Sequence, residues 1–171
     1  NANWSQPGGN AAKSPGHSML AEAPQRAWSA QIAGANNRMR LAATPVVHDG
    51  KLYVIDTDAM VSAFDATSGS KLWATALTVD KDGKPSRFGG GVSTDGTSVF
   101  ATNGVGDVAA LDASTGAIKW TKRPAGPLRG APTLRPGDHI AVVVNQELVT
   151  AFELNQRMAL ARADAQRKGQ R

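Results

Sequence analysis

An eleven-residue stretch is written twice in this chain, and the duplication constrains the fold more than any other feature. Ala63-Phe64-Asp65-Ala66-Thr67-Ser68-Gly69-Ser70-Lys71-Leu72-Trp73 recurs as Ala110-Leu111-Asp112-Ala113-Ser114-Thr115-Gly116-Ala117-Ile118-Lys119-Trp120, an offset of 47. Upstream of each copy stands a second matching pair, Asp49-Gly50-Lys51-Leu52-Tyr53-Val54 and Asp95-Gly96-Thr97-Ser98-Val99-Phe100. A third copy opens at Ala131-Pro132-Thr133, continues through Gly137-Asp138-His139-Ile140-Ala141-Val142 and reaches Ala151-Phe152-Glu153. Trp28 stands 45 residues before Trp73 and reads as the end of the outer strand of a preceding, otherwise absent repeat. A repeated unit of this size buries its apolar face by stacking on its neighbours.

Within one repeat the local signals give four short strands. Thr44 to His48 is apolar and β-branched, Asp49-Gly50 is a hairpin turn, and Lys51 to Ile55 follows as a buried second strand. Met60 to Phe64 is the third strand; Asp65 to Gly69 turns the chain, and Lys71 to Leu77 is the fourth. Four strands in roughly 40 to 47 residues is the size of a β-propeller blade. The expected fold is all-β: a partial β-propeller of four-stranded antiparallel blades at about 43–77, 89–123 and 129–153. The first two are complete and the third is incomplete. Residues 1–24 read as an extended N-terminal segment, 25–153 as the blades, and 154–171 as a basic helical or frayed tail. That tail is rich in Ala, Leu, Gln and Arg, which favour a short helix.

The positions shared by the two copies have structural roles that need no chemistry. Asp65 and Asp112 can accept amide hydrogen bonds in the turn, and Gly69 and Gly116 supply permissive backbone. Trp73 and Trp120 offer broad faces for docking against a neighbouring blade.

The net charge of +5 invites a nucleic-acid reading until it is placed along the chain. Residues 41–153 carry ten Lys/Arg against twelve Asp/Glu, so the basic excess sits in the two ends and no nucleic-acid partner is expected. There is no cysteine, which removes disulfides, thiolate metal sites and a cysteine nucleophile. No stretch approaches the roughly eighteen apolar residues of a membrane-spanning helix. Asn1-Ala2-Asn3-Trp4 has neither a Met nor a signal-like region and reads as a mature or trimmed terminus.

A search for chemistry finds little. His17, His48 and His139 are widely spaced without metal-ligand partners, and Asp80-Lys81-Asp82-Gly83 lacks the later Glu of a calcium loop. Gly89-Gly90-Gly91 and Gly104-Val105-Gly106 are followed by no Gly-Lys-Ser/Thr; the first run is better explained by close backbone approach near the propeller axis. No catalytic, metal or cofactor residues are assigned. One segment stands out for recognition: Pro124-Ala125-Gly126-Pro127-Leu128-Arg129-Gly130-Ala131-Pro132, which links the second blade to the third. Its prolines lower the cost of ordering it, so Leu128 and Arg129 are the candidate partner-binding residues. The competing reading is a plain connector with Leu128 buried and Arg129 solvated.

The Ala-x-Asp-x-x-Thr/Ser-Gly-x-x-x-Trp unit resembles the tryptophan-docking repeat of quinoprotein-like propellers. Trp4-Ser5-Gln6-Pro7-Gly8-Gly9-Asn10, Ala43-Thr44-Pro45-Val46-Val47, Val61-Ser62-Ala63-Phe64-Asp65 and Leu128-Arg129-Gly130-Ala131-Pro132 are similar to stretches of the BamB family of outer-membrane assembly lipoproteins. The resemblance covers residues 4–153. It implies a periplasmic, outer-membrane-associated, non-enzymatic scaffold whose partner is the barrel-forming subunit BamA. It gives Leu128 the role of apolar anchor and Arg129 that of donor to carboxylates or carbonyls. The family's further leucine two positions before Leu128 is Gly126 here, and its lipid-bearing cysteine is absent. Eight blades would need about 350 residues, so 171 residues read as a fragment, a truncated frame, or a half completed by self-association through open blade edges. Two other functions remain open at this point: part of a pyrroloquinoline-quinone dehydrogenase, or a generic propeller interaction module.

Overall fold

The computed structural model describes residues 3–10, 23–34, 43–77, 90–123, 128, 130–134, 141–144 and 147–150. Ten strands are formed among them. The first blade is β1 (Val46–His48), β2 (Lys51–Ile55), β3 (Met60–Asp65) and β4 (Lys71–Ala76), paired in that order and antiparallel throughout. The second is β5 (Gly90–Thr94), β6 (Ser98–Asn103), β7 (Val108–Asp112) and β8 (Ile118–Lys122), in the same order. A further antiparallel pair, β9 (Ala141–Val144) and β10 (Glu147–Thr150), forms a two-stranded sheet of its own. The fold is a partial β-propeller. The predicted C-terminal helix falls on 154–171, outside the described residues.

The two blades repeat even in their irregularities. Each bends between its third and fourth strands at an equivalent register shift, Ala63/Phe64 in one and Ala110/Leu111 in the other. One difference corrects the sequence alignment. Asp95 N donates to Ser98 O at 3.2 Å, so the β5–β6 turn is Gly96-Thr97 where the β1–β2 turn is Asp49-Gly50, and Lys51 corresponds to Ser98 rather than to Thr97. The structural offset is 47 on both sides of the hairpin, and the two Asp-Gly pairs stand one position out of register with each other.

Strand alternation assigns each blade two buried faces. Val99, Ala101, Ala109 and Leu111 of the second blade join Val46, Tyr53, Ile55, Val61 and Ala63 of the first in one core cluster. The opposite face of the second blade, Phe100, Val108 and Ala110, forms a separate cluster with Leu128, against which Trp120 and Leu134 pack. The outer strands β4 and β8 are half exposed, and Leu72 and Ile118 are the large apolar residues left there in solvent.

The inter-blade contacts are close at the inner strands. A Cβ at Gly91 would stand 2.5 Å from Cβ of Ala131, so the start of the third blade occupies the space a side chain would need. Gly90 has φ +100, a conformation reserved in practice for glycine. The N-terminal segment runs along this inner edge. Trp4 makes a two-way bridge to Val47, the Thr94 amide donates to Ser5 O at 2.8 Å, and the Gln6 side-chain amide pairs with the backbone of Leu134. Residues 4–6 thereby join β1, β5 and Leu134, a strap that the sequence did not announce.

Residues 23–34 form no ladder among the described residues, where an outer strand ending at Trp28 was expected. A strand needs a hydrogen-bonding partner, and no described segment supplies one. Trp28 nevertheless docks on the first blade: its indole Nε1 donates to Ala66 O at 2.9 Å, and a Cβ at Gly69 would come within 2.6 Å of its ring.

Candidate functional site

In an up-and-down blade the turn between the second and third strands lies at the same end as the exit from the fourth strand. That end also carries the connector to the next blade, where the candidate recognition segment begins. The turn residues are held by side-chain acceptors. Asn103 Oδ1 accepts from the amides of Val105 at 3.2 Å and Asp107 at 2.9 Å, and Gly106 takes φ +105. In the first blade Asp56 Oδ1 does the same for Asp58 and Met60, and Ala59 takes the positive φ of 59°. Gly104-Val105-Gly106 is therefore a hairpin turn.

Beside that turn lies a charged cluster that sequence reading missed. Arg123, the residue after β8, forks onto Asp107: Nε donates to Oδ1 at 2.6 Å and Nη2 to Oδ2 at 3.0 Å. Asn103 Nδ2 donates to the same Oδ2 at 3.0 Å. The Asp107 side chain is 6% exposed and that of Arg123 is 48% exposed, so the pair is buried at its acidic end and open at its basic end. Burial works to raise the Asp107 pKa, but the hydrogen bonds from Arg123 and Asn103 and the guanidinium charge outweigh it and hold the carboxyl below its ordinary value. The residues lie 16 apart and carry no motif, so only register could have paired them.

Leu128 is 1% exposed, packed in the cluster of Phe100, Val108 and Ala110 with Trp120 beside it. Of the two readings of this side chain, exposed anchor or buried connector residue, the structure has the second. The reason is that the outward face of the second blade is apolar and needs a cover. Two residues later the connector is fastened again, because Thr102 Oγ1 donates to Gly130 O at 2.7 Å. Ser93 Oγ donates to Pro132 O a little further on. Arg129 lies outside the described residues, between these two fixed points.

Of the remaining site residues, Asp65, Gly69, Asp112 and Gly116 belong to the turns between third and fourth strands, at the other end of the blades, while Trp73 lies in β4 and Trp120 in β8. Asp65 Oδ1 accepts from the amides of Thr67 and Ser68 and from the Ser68 hydroxyl. Asp112 Oδ1 accepts from the amides and hydroxyls of Ser114 and Thr115. Trp73 Nε1 donates to Ala113 O at 3.2 Å and its ring fills the space over Gly116. Tyr53 shares that acceptor, donating its hydroxyl to Ala113 O at 3.2 Å. Trp120 lies near Phe100, ring centroids 6.4 Å apart, with Lys122 Nζ 5.7 Å from its centroid.

Among the described residues no three His, Cys, Asp or Glu side chains gather where they could hold a metal ion. His48 packs against Gly96, whereas His17 and His139 lie outside the described residues. No helix among the described residues is long and apolar enough to cross a membrane.

Comparison with known proteins agrees with this geometry. The family model described as outer membrane protein assembly factor BamB matches residues 18–85 and 57–160. Outer membrane protein assembly factor BamB of Escherichia coli strain K12 is 28% identical over 115 residues, covering 65% of this chain and 29% of that protein. Among solved structures, the quinohemoprotein alcohol dehydrogenase of Comamonas testosteroni superposes with a TM-score of 0.64 at 25% identity, covering 84% of this chain and 23% of that one. BamB of Moraxella catarrhalis superposes with a TM-score of 0.51 at 20% identity, covering 66% of this chain and 33% of that one. The chain thus spans about a third or less of these relatives. With four-stranded blades, docked tryptophans and a family match across most of its length, the chain belongs to the family of outer membrane protein assembly factor BamB.

Proposed function

We propose that this chain is part of a non-catalytic protein-binding scaffold of the outer-membrane β-barrel assembly machinery, working in the periplasm at the outer membrane. Its partner is the barrel-forming subunit BamA, met by the connector between the second and third blades. The observation that carries this reading is the anchoring of that connector on both sides of Arg129: Leu128 is sunk in the blade's apolar face, and Gly130 O is held by Thr102. A residue between two fixed points loses little conformational freedom on binding. Leu128 serves by pinning the connector from inside, and Arg129 donates hydrogen bonds to carboxylate or carbonyl groups of the partner. The docking residues Asp65, Gly69, Trp73, Asp112, Gly116 and Trp120 keep the blades stacked.

The test is binding to the periplasmic part of BamA with Arg129→Glu in the parent protein. Loss of a charge-assisted pair and gain of repulsion should lower affinity by roughly tenfold to a hundredfold, with thermal stability unchanged. An unchanged affinity removes Arg129 from the interface. The likeness to quinoprotein alcohol dehydrogenases supports a second reading, an enzyme fragment. Stoichiometric binding of pyrroloquinoline quinone with calcium would favour that reading over the scaffold.

A further inference from the structure

Trp28 sits on the first blade as Trp73 sits on the second. Its indole Nε1 donates to Ala66 O at 2.9 Å beside Gly69, where that of Trp73 donates to Ala113 O at 3.2 Å beside Gly116. The chain after Trp28 stays on the blade, because the Ala33 amide donates to Asp56 Oδ2 at 3.3 Å and Thr57 Oγ1 donates to Gly34 O at 3.1 Å. Exposure follows that of β4: Trp28 and Ile32 are at least partly buried, as are Trp73 and Leu77, and Ser29 and Gln31 are exposed like Ala74 and Ala76. Residues 28–32 thus hold the place of an outer strand, yet they lack what β4 has. β4 pairs with β3, whereas among the described residues no backbone group of residues 23–32 takes part in a hydrogen bond. An extended segment fixed at both ends with its backbone edge open is a template for strand addition.

A complementary edge stands elsewhere in the chain. Among the described residues β10 pairs with β9 and with no second strand. Leu148-Val149-Thr150 of β10, followed in sequence by Ala151-Phe152-Glu153, match Met60-Val61-Ser62 of β3, followed by Ala63-Phe64-Asp65. The pairing agrees, because Val142 opposite Val149 repeats Ile55 opposite Val61. β10 is therefore a strand of the third type, open on the side where β3 receives β4.

We propose that these two edges join between copies of the chain: the segment seated by Trp28 in one copy adds as an antiparallel outer strand to β10 of a second copy. Ser29 then stands opposite Thr150, Ala30 opposite Val149 and Gln31 opposite Leu148, a register carried over from Ala74, Thr75 and Ala76 opposite Ser62, Val61 and Met60. Each copy gives a strand at one edge and receives one at another, so the contact is heterologous and association continues until a ring closes. None of the residues given to BamA docking takes part in it.

The chain has no cysteine of its own, so the register can be read by cross-linking. Antiparallel partners stand about 4.5 or 5.5 Å apart at Cα, within the span of a disulfide. Two single variants of the full chain, Ala30→Cys and Val149→Cys, are mixed under mild oxidation, beside a control mixture of Ala30→Cys with Leu148→Cys. The mixed disulfide should form at least about tenfold faster in the first mixture, because the control residue points to the opposite face of its strand. Sedimentation should show concentration-dependent association of the unsubstituted chain, weakened about tenfold by Trp28→Ala, which unseats the segment. Equal rates in the two mixtures mean contact without register, and Ala30→Cys cross-linking to itself as fast as in the first mixture means that the segment pairs with its own copy; either overturns the proposal. A monomer at every concentration, or association unchanged by Trp28→Ala, also overturns it. Should Trp28→Ala not fold, the cross-linking rates decide.

Discussion

Trp73 fills the space that a side chain at Gly116 would need: a Cβ there would stand 2.5 Å from Cε3 of the indole. Trp28 stands in the same relation to Gly69, at 2.6 Å from Cδ2. Both glycines also have positive φ, +74 and +75. Each Asp-x-x-x-Gly turn is thus a seat for a tryptophan earlier in the chain, Trp73 of the first blade at Gly116 and Trp28 at Gly69.

Gly116→Ala should cost on the order of 2–4 kcal/mol, because it adds left-handed backbone strain to a collision with the Trp73 ring. Gly50 is the internal control, with φ +70 but open space around it. Gly50→Ala should cost only about 1–2 kcal/mol. Denaturant unfolding of both variants checks this, and equal losses would mean that the seat contributes nothing beyond backbone conformation.

Gly91→Ala isolates the close approach from backbone strain. The added methyl would meet Ala131 Cβ at 2.5 Å and Cα at 2.8 Å. Its cost should be about 1–3 kcal/mol. Ala131→Gly should recover part of that in the double variant, since one of the two colliding atoms is gone. Strict additivity of the two substitutions in a double-mutant cycle would contradict the inter-blade contact.

Acid should destabilise the blades through four carboxylates. The amide and hydroxyl of Ser68 hold the Asp65 carboxyl below its ordinary pKa, and the hydroxyl and amide of Ser114 with the Thr115 amide hold Asp112 far below it. At Asp95 and Asp107 burial pushes upward but is outweighed, by Ser98 and Thr97 at the first and by Arg123 and Asn103 at the second. Each group has a folded pKa below its unfolded value of about 3.9, so its contribution is complete above that value and is lost as pH falls through the folded one. The Tm should therefore be insensitive to these groups from about pH 7 to pH 5 and fall below about pH 4. Asp112→Asn should make the acid-side fall shallower; an unchanged slope would show that the turn hydrogen bonds do not discriminate between the two protonation states.

Local patterns in the chain carried the blade. Asp-Gly and Asp-x-x-x-Gly name turns by the backbone they permit, apolar alternation gives strands, and a duplicated unit stacks because it cannot bury its face alone. These are short-range or periodic constraints, so the strands of the first blade and their repetition in the second could be read without coordinates, whereas the seating of Trp73 on Gly116 and of Trp28 on Gly69 could not. What the tertiary structure decided depends on which distant residues come face to face. Leu128 turned inward because the cluster of Phe100, Val108 and Ala110 lay uncovered, and a sequence shows an apolar residue without showing what it covers. Asp107 found Arg123 through strand register, and Gln6 found Leu134, 128 positions away in the chain, through the N-terminal strap. Such pairings satisfy buried polar groups, and their partners are fixed only once the sheets are stacked.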